Sequence, residues 1–116
     1  MYSPSLPYTA ANPMLHESIR NYQEQAVCAA IQADAARHPA LAGRPGLLSD
    51  VACVALNSLK PRYIKHNVDL HFFETPAERE RNDAAVRVAV AAAFEFVLRR
   101  TDRAALERSQ RTHALK

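Results

Sequence analysis

Apolar residues recur three or four positions apart along most of this chain, the spacing of helices that bury one face. Leu15, Ile19, Tyr22, Ala26, Ala30 and Ala33 form the first stripe, and Val27 and Ile31 widen it. Asn12 before Pro13 offers a capping residue and a proline at the first helical position, so a helix is predicted from there to about Arg37. Pro39 ends it, because the residue before a proline is pushed away from helical geometry. Residues 38–46, HPALAGRPG, contain both glycines and two prolines and read as a loop. Leu48, Val51, Ala52, Ala55 and Leu59 predict a second helix over about Leu47–Leu59, with Ser49 or Asp50 capping or charging its first turn and Pro61 stopping it.

The third helix has the sharpest start. Thr75-Pro76-Ala77-Glu78 is a capping box with proline at the first helical position. Val86, Ala89, Val90, Ala93, Phe94 and Val97 continue its stripe to about Arg100, and a short fourth helix or a continuation follows Thr101-Asp102. Between the second and third helices the period changes to two: Ile64, His66, Val68, Leu70 and Phe72 alternate as in a strand. No second strand candidate stands out, so residues 62–74 read as an extended connection or as a segment pairing with its copy in a dimer.

These elements predict an all-α fold, a small three- to four-helix bundle with an extended elbow between the second and third main helices. The chain divides into a flexible leader (1–11), one helical domain (12–100) and a basic C-terminal tail (101–116). Tyr22, Phe72, Phe73, Phe94 and Phe96 are more rings than a three-helix monomer can hide, which favours a homodimer.

Composition adds limits. The start of the chain lacks the pattern of a secretory signal, and Arg87 and Glu95 interrupt the apolar stretch 86–98, so no membrane association is expected. Cys28 and Cys53 sit in apolar helical surroundings outside any CxxC pair. They read as two buried, reduced thiols of a cytoplasmic protein, with a disulfide or a zinc site disfavoured. The formal charge of +3 is uneven: residues 99–116 hold six cations against Asp102 and Glu107. That tail could meet nucleic acid or an acidic partner, but a solvated helix end whose cations suit the helix dipole is the favoured reading.

The densest chemistry lies in Lys60-Pro61-Arg62-Tyr63-Ile64-Lys65-His66, cations and a ring at a forced chain break. Gly-rich phosphate loops, HExxH and nucleophile elbows are all absent from the sequence, so a non-enzymatic protein is expected, with no cofactor.

Residues 50–63, DVACVALNSLKPRY, resemble the signature of the late competence development ComFB family: an Asp-Val start, an Ala-Leu-Asn centre, then Leu, Pro and an Arg-Tyr ending. His66 to Phe73, followed by Thr75 and acidic residues, is similar to the proteobacterial branch, and the likeness is strong over about Ser49–Arg81. The resemblance implies a small helical, dimeric, cytoplasmic protein without enzymatic activity. Some members, notably cyanobacterial ones, are receptors for cyclic dinucleotides. Bacillus-type members carry a zinc-associated cysteine cluster before the Asp-Val start. Here Ala40 to Gly46 occupies that place without a cysteine, so no metal is carried over.

A cyclic dinucleotide needs cations for two phosphates, flat groups for two purines, and polar partners for base edges. Lys60, Arg62 and Lys65 suit phosphate, Arg62 or Tyr63 suits stacking, and Asp69 suits a guanine edge. Each residue also has a plainer reading: Arg62 paired with an acid, Tyr63 packed in the core, both lysines solvated. Asp50 reads as a helix-start charge and Asn57 as a polar anchor for the elbow. The Arg99-to-Asp102 RxxD match is what chance gives in an arginine-rich tail. His66, Asp69 and His71 do not form a metal set, because an extended chain turns His66 away from the other two. The functional expectation is a cyclic dinucleotide receptor (cyclic di-GMP or cyclic di-AMP) acting through an unidentified protein partner. The alternative is a structural dimeric adaptor without a small-molecule ligand.

Overall fold

The computed structural model describes residues 18–66 and 74–114. In chain order they form β1 (Arg20–Asn21), α1 (Tyr22–Asp34), a 3-10 turn (Ala35–Arg37), α2 (Pro39–Ala42), α3 (Pro45–Asn57), β2 (Tyr63–Ile64) and α4 (Pro76–Ala114). The fold is all-α apart from the two short strands. The expected leader 1–11 and the stretch 67–73 lie outside the described residues.

Helices α1, α3 and α4 pack against one another around Val27, Ile31, Val51, Ala55, Val86, Val90, Ala93, Phe94 and Val97. Phe94 is fully buried in this core. The His38 ring stacks on it, with centroids 4.0 Å apart and planes 11° apart. Leu41, also fully buried, belongs to the same core. The expected loop 38–46 is therefore partly helical. Pro39 opens the single turn of α2, and burying Leu41 gives that turn the tertiary support that so short a helix lacks alone.

The expected start of the first helix at Asn12–Pro13 lies outside the described residues; within them the predicted stretch is interrupted at Ile19–Asn21, and α1 begins at Tyr22. Arg20 and Asn21 are extended, and Asn21 caps α1, accepting from the Gln23 amide at 3.1 Å. Ile19, placed in the stripe by spacing, is half-exposed. Helix α3 starts at Pro45 with Arg44 at its N-cap position and no side-chain cap. Ser49 instead donates its hydroxyl to the Pro45 carbonyl at 3.0 Å.

Both thiols are exposed, contrary to the expectation of two buried cysteines. The inward rows are narrow, Val27 and Ile31 on α1, Val51 and Ala55 on α3. Neither cysteine is on its row: Cys28 follows Val27 directly, and Cys53 is two residues past Val51. One step along a helix turns a side chain about 100°, which carries each sulfur to the surface.

The predicted cap of the third helix is present: the Glu78 amide donates to Thr75 Oγ1 at 3.1 Å, and the Arg79 amide to the Thr75 carbonyl at 3.0 Å. The helix then runs unbroken through Thr101 and Asp102 to Ala114, 39 residues in all, about 58 Å. The continuation, not a separate fourth helix, is what forms. No helix among the described residues is long and apolar enough to cross a membrane.

Candidate functional site: the anchored elbow

The chain between α3 and β2 turns at Ser58 to Pro61 and then pairs inside the molecule. Tyr63–Ile64 runs antiparallel to Arg20–Asn21, with Arg20 opposite Ile64 and Asn21 opposite Tyr63. The sequence offered no second strand. Two residues ahead of a helix are too few to show a period of two, so this partner carries no periodic signal. The period-of-two reading is met at Tyr63 and Ile64: Ile64 is buried and Tyr63 is 69% exposed.

A set of amides fixes the turn to the helices. Gln23 is 2% exposed and heads the inward row Gln23, Val27, Ile31 of α1. Its Nε2 donates to the Lys60 carbonyl at 3.1 Å and to Asn82 Oδ1 at 2.8 Å. Asn82 Nδ2 returns a bond to Gln23 Oε1 at 3.2 Å. Asn82 likewise heads a row, Asn82, Val86, Val90, on α4. The Arg62 amide donates to Asn21 Oδ1 at 2.8 Å, so one side-chain oxygen caps α1 and holds the elbow. The Tyr22 amide donates to the Arg62 carbonyl at 2.7 Å. Asn57, expected as the anchor, is exposed at the end of α3. Anchoring falls to Asn21, Gln23 and Asn82. The signal for two of them was present: a polar residue continuing an i, i+4 apolar row points at the core and needs a partner there.

Arg62 is engaged. Its Nη2 pairs with Glu74 Oε2, and Arg79 Nε lies 3.5 Å from Glu74 Oε1. The Glu74 side chain is 4% exposed, so its carboxylate is buried between two guanidinium groups. The plainer reading of Arg62, paired with an acid, is what forms. Its Nε is buried without a hydrogen-bond partner among the described residues. Lys60 and Lys65 are exposed, as is the Tyr63 ring. The plainer reading of Tyr63 as a core residue does not hold. Asp69 and His71 lie outside the described residues.

An open cleft of ≈ 430 Å³ runs along this elbow, lined by Gln23, Ser58, Lys60, Arg62, Asn82 and Ala85 among others. One side is fixed amide and backbone, and Lys60 stands at its edge. Such an arrangement can hold an anion against a rigid polar wall.

Residues 20–101 match the family model described as late competence development protein ComFB. The matched span begins at β1 and ends where α4 leaves the bundle. No curated protein matches the chain. No solved structure matches it either.

Proposed function

The chain belongs to the late competence development ComFB family, and from that premise we propose that it is a non-enzymatic receptor for a cyclic dinucleotide, acting through a protein partner. The observation that carries this reading is the pairing of an immobilised elbow with outward cations. Gln23, Asn21 and Asn82 hold the backbone of residues 60–62, while Lys60 stays exposed at the cleft and Tyr63 and Lys65 stay exposed just beyond it along the chain. A fixed backbone lowers the ordering cost of gripping a ligand, and exposed ammonium groups suit phosphoryl oxygens. Tyr63 offers a face to a purine. Arg62 acts by shaping the elbow, since its charge already belongs to Glu74. A twofold dimer would present this set twice to a twofold ligand.

Calorimetry with cyclic di-GMP and cyclic di-AMP tests the reading. Heat of binding that Lys60→Ala and Lys65→Ala each weaken several-fold supports it. Binding that both variants leave intact removes the elbow as the site. Absence of heat with either nucleotide, together with a dimer in solution, turns the reading to a structural adaptor.

A further inference from the structure

We propose that the far end of the molecule, where α4 outruns the bundle, binds single-stranded nucleic acid. Val86, Val90, Phe94 and Val97 form the inward row of α4. The same three- and four-residue steps continue through Arg100, Ala104, Arg108 and Arg111. The face that is apolar under α1 and α3 thus becomes cationic past Val97, beside the first turn of α3.

Arg44, at the start of α3, joins this face. It lines a groove of ≈ 240 Å³ with Arg100, Thr101 and Arg108, in which Asp50 is the lone carboxylate. Among the described residues no ion pair engages Arg44, Arg100, Arg103 or Arg108. Asp50, Asp102 and Glu107 form none either, and Arg99 lies 3.9 Å from Glu95. Three guanidinium groups from two elements around one groove repel each other unless an anion sits among them. A second groove, ≈ 370 Å³, shares Arg100 and adds Phe96, Arg99 and Arg103. Phe96 is 46% exposed. Its ring therefore lies between arginines on the surface.

Phosphodiester chemistry fits this track. Guanidinium groups match phosphate oxygens bidentately, and an exposed ring accepts a base by stacking. From Phe96 to Arg111 the helix covers about 22 Å, enough for several nucleotides. The whole excess of positive charge lies here: residues 99–116 carry six cations and two acids, the other residues nine and ten. Sequence alone favoured a solvated helix end. The change comes from Arg44, which chain order separates from the tail and the fold brings to it. The track also runs past residue 101, where the family match ends, and it is independent of the elbow.

The test is fluorescence anisotropy of the full-length protein with a labelled oligothymidine of roughly fifteen nucleotides. Binding should fall with salt. Arg44→Ala and Arg100→Ala should each reduce the slope of log affinity against log salt by about 0.7. Phe96→Ala should weaken binding about 5- to 150-fold with the slope unchanged. Arg87→Ala, on the same helix away from the track, should leave affinity within about twofold. The proposal is overturned if Arg87→Ala matters as much as Arg100→Ala, if polyglutamate competes as well as unlabelled oligothymidine, or if Phe96→Ala acts by dissociating an oligomer. Unchanged helical circular dichroism in the variants assigns any loss to the surface and not to unfolding.

Discussion

Gln23 and Asn82, 59 residues apart in sequence, exchange two side-chain hydrogen bonds in the interior, at 2.8 and 3.2 Å. Gln23 also donates to the Lys60 carbonyl. Three segments are thereby fixed by one buried amide: the start of α1, the elbow and the first turns of α4.

Replacing Gln23 with Leu strips the Lys60 carbonyl and the Asn82 amide of their partner. The expected loss is about 1–3 kcal/mol, read as a lower urea midpoint. Gln23→Leu/Asn82→Leu should cost less than the sum of the two single changes, because the second removes a group that the first leaves unsatisfied. Strict additivity would show that the pair is energetically inert.

Glu74 and Arg62 form the other interior anchor. Glu74→Ala removes the carboxylate that pairs with the partly buried Arg62 and should destabilise by about 2–4 kcal/mol. Arg62→Met/Glu74→Leu should recover most of that loss, since a buried ion pair often exchanges with apolar groups at little net change. Thermal melts of the three variants decide it.

Phe94 and His38 predict a graded pair of effects. Phe94→Ala empties part of the core, at a cost of about 3–5 kcal/mol. His38→Ala removes only the stacked ring and should cost about 0.5–1.5 kcal/mol. A His38→Ala loss as large as that of Phe94→Ala would mean that the α2 turn, and not the stack, depends on this side chain.

The exposure of Cys28 and Cys53 is open to direct measurement. Ellman's reagent should titrate both thiols of the native protein at rates near those in denaturant. Reaction slower by orders of magnitude would restore the buried reading.

The family signature and the helical class were legible because both are written in neighbouring residues. Thr75-Pro76 marks the start of α4, and its cap is present. Pro45 at the start of α3 and Leu41 inside the supposed loop are subtler, since one apolar residue between prolines gives no period to read. The first helix is interrupted for a related reason. Ile19 keeps the helical spacing, but Asn21 does better by capping α1 and holding the Arg62 amide at once. Of the proposed ligand residues, Lys60, Tyr63 and Lys65 emerged as surface groups. Arg62 did not, and its partner Glu74 sits twelve residues away across a segment without helical spacing.

What the order of residues determined alone was local: which stretches wind into helices, where prolines stop them, and that a cationic elbow separates two of them. Such features depend on contacts within about four positions, which any chain carries in its own neighbourhood. Only tertiary structure decided that β1 and β2 pair, that Gln23 meets Asn82, and that Arg44 stands beside Arg100. Those are meetings of groups distant along the chain, selected because burying the apolar rows of α1, α3 and α4 together brings Gln23, Asn82 and the elbow backbone where they satisfy one another.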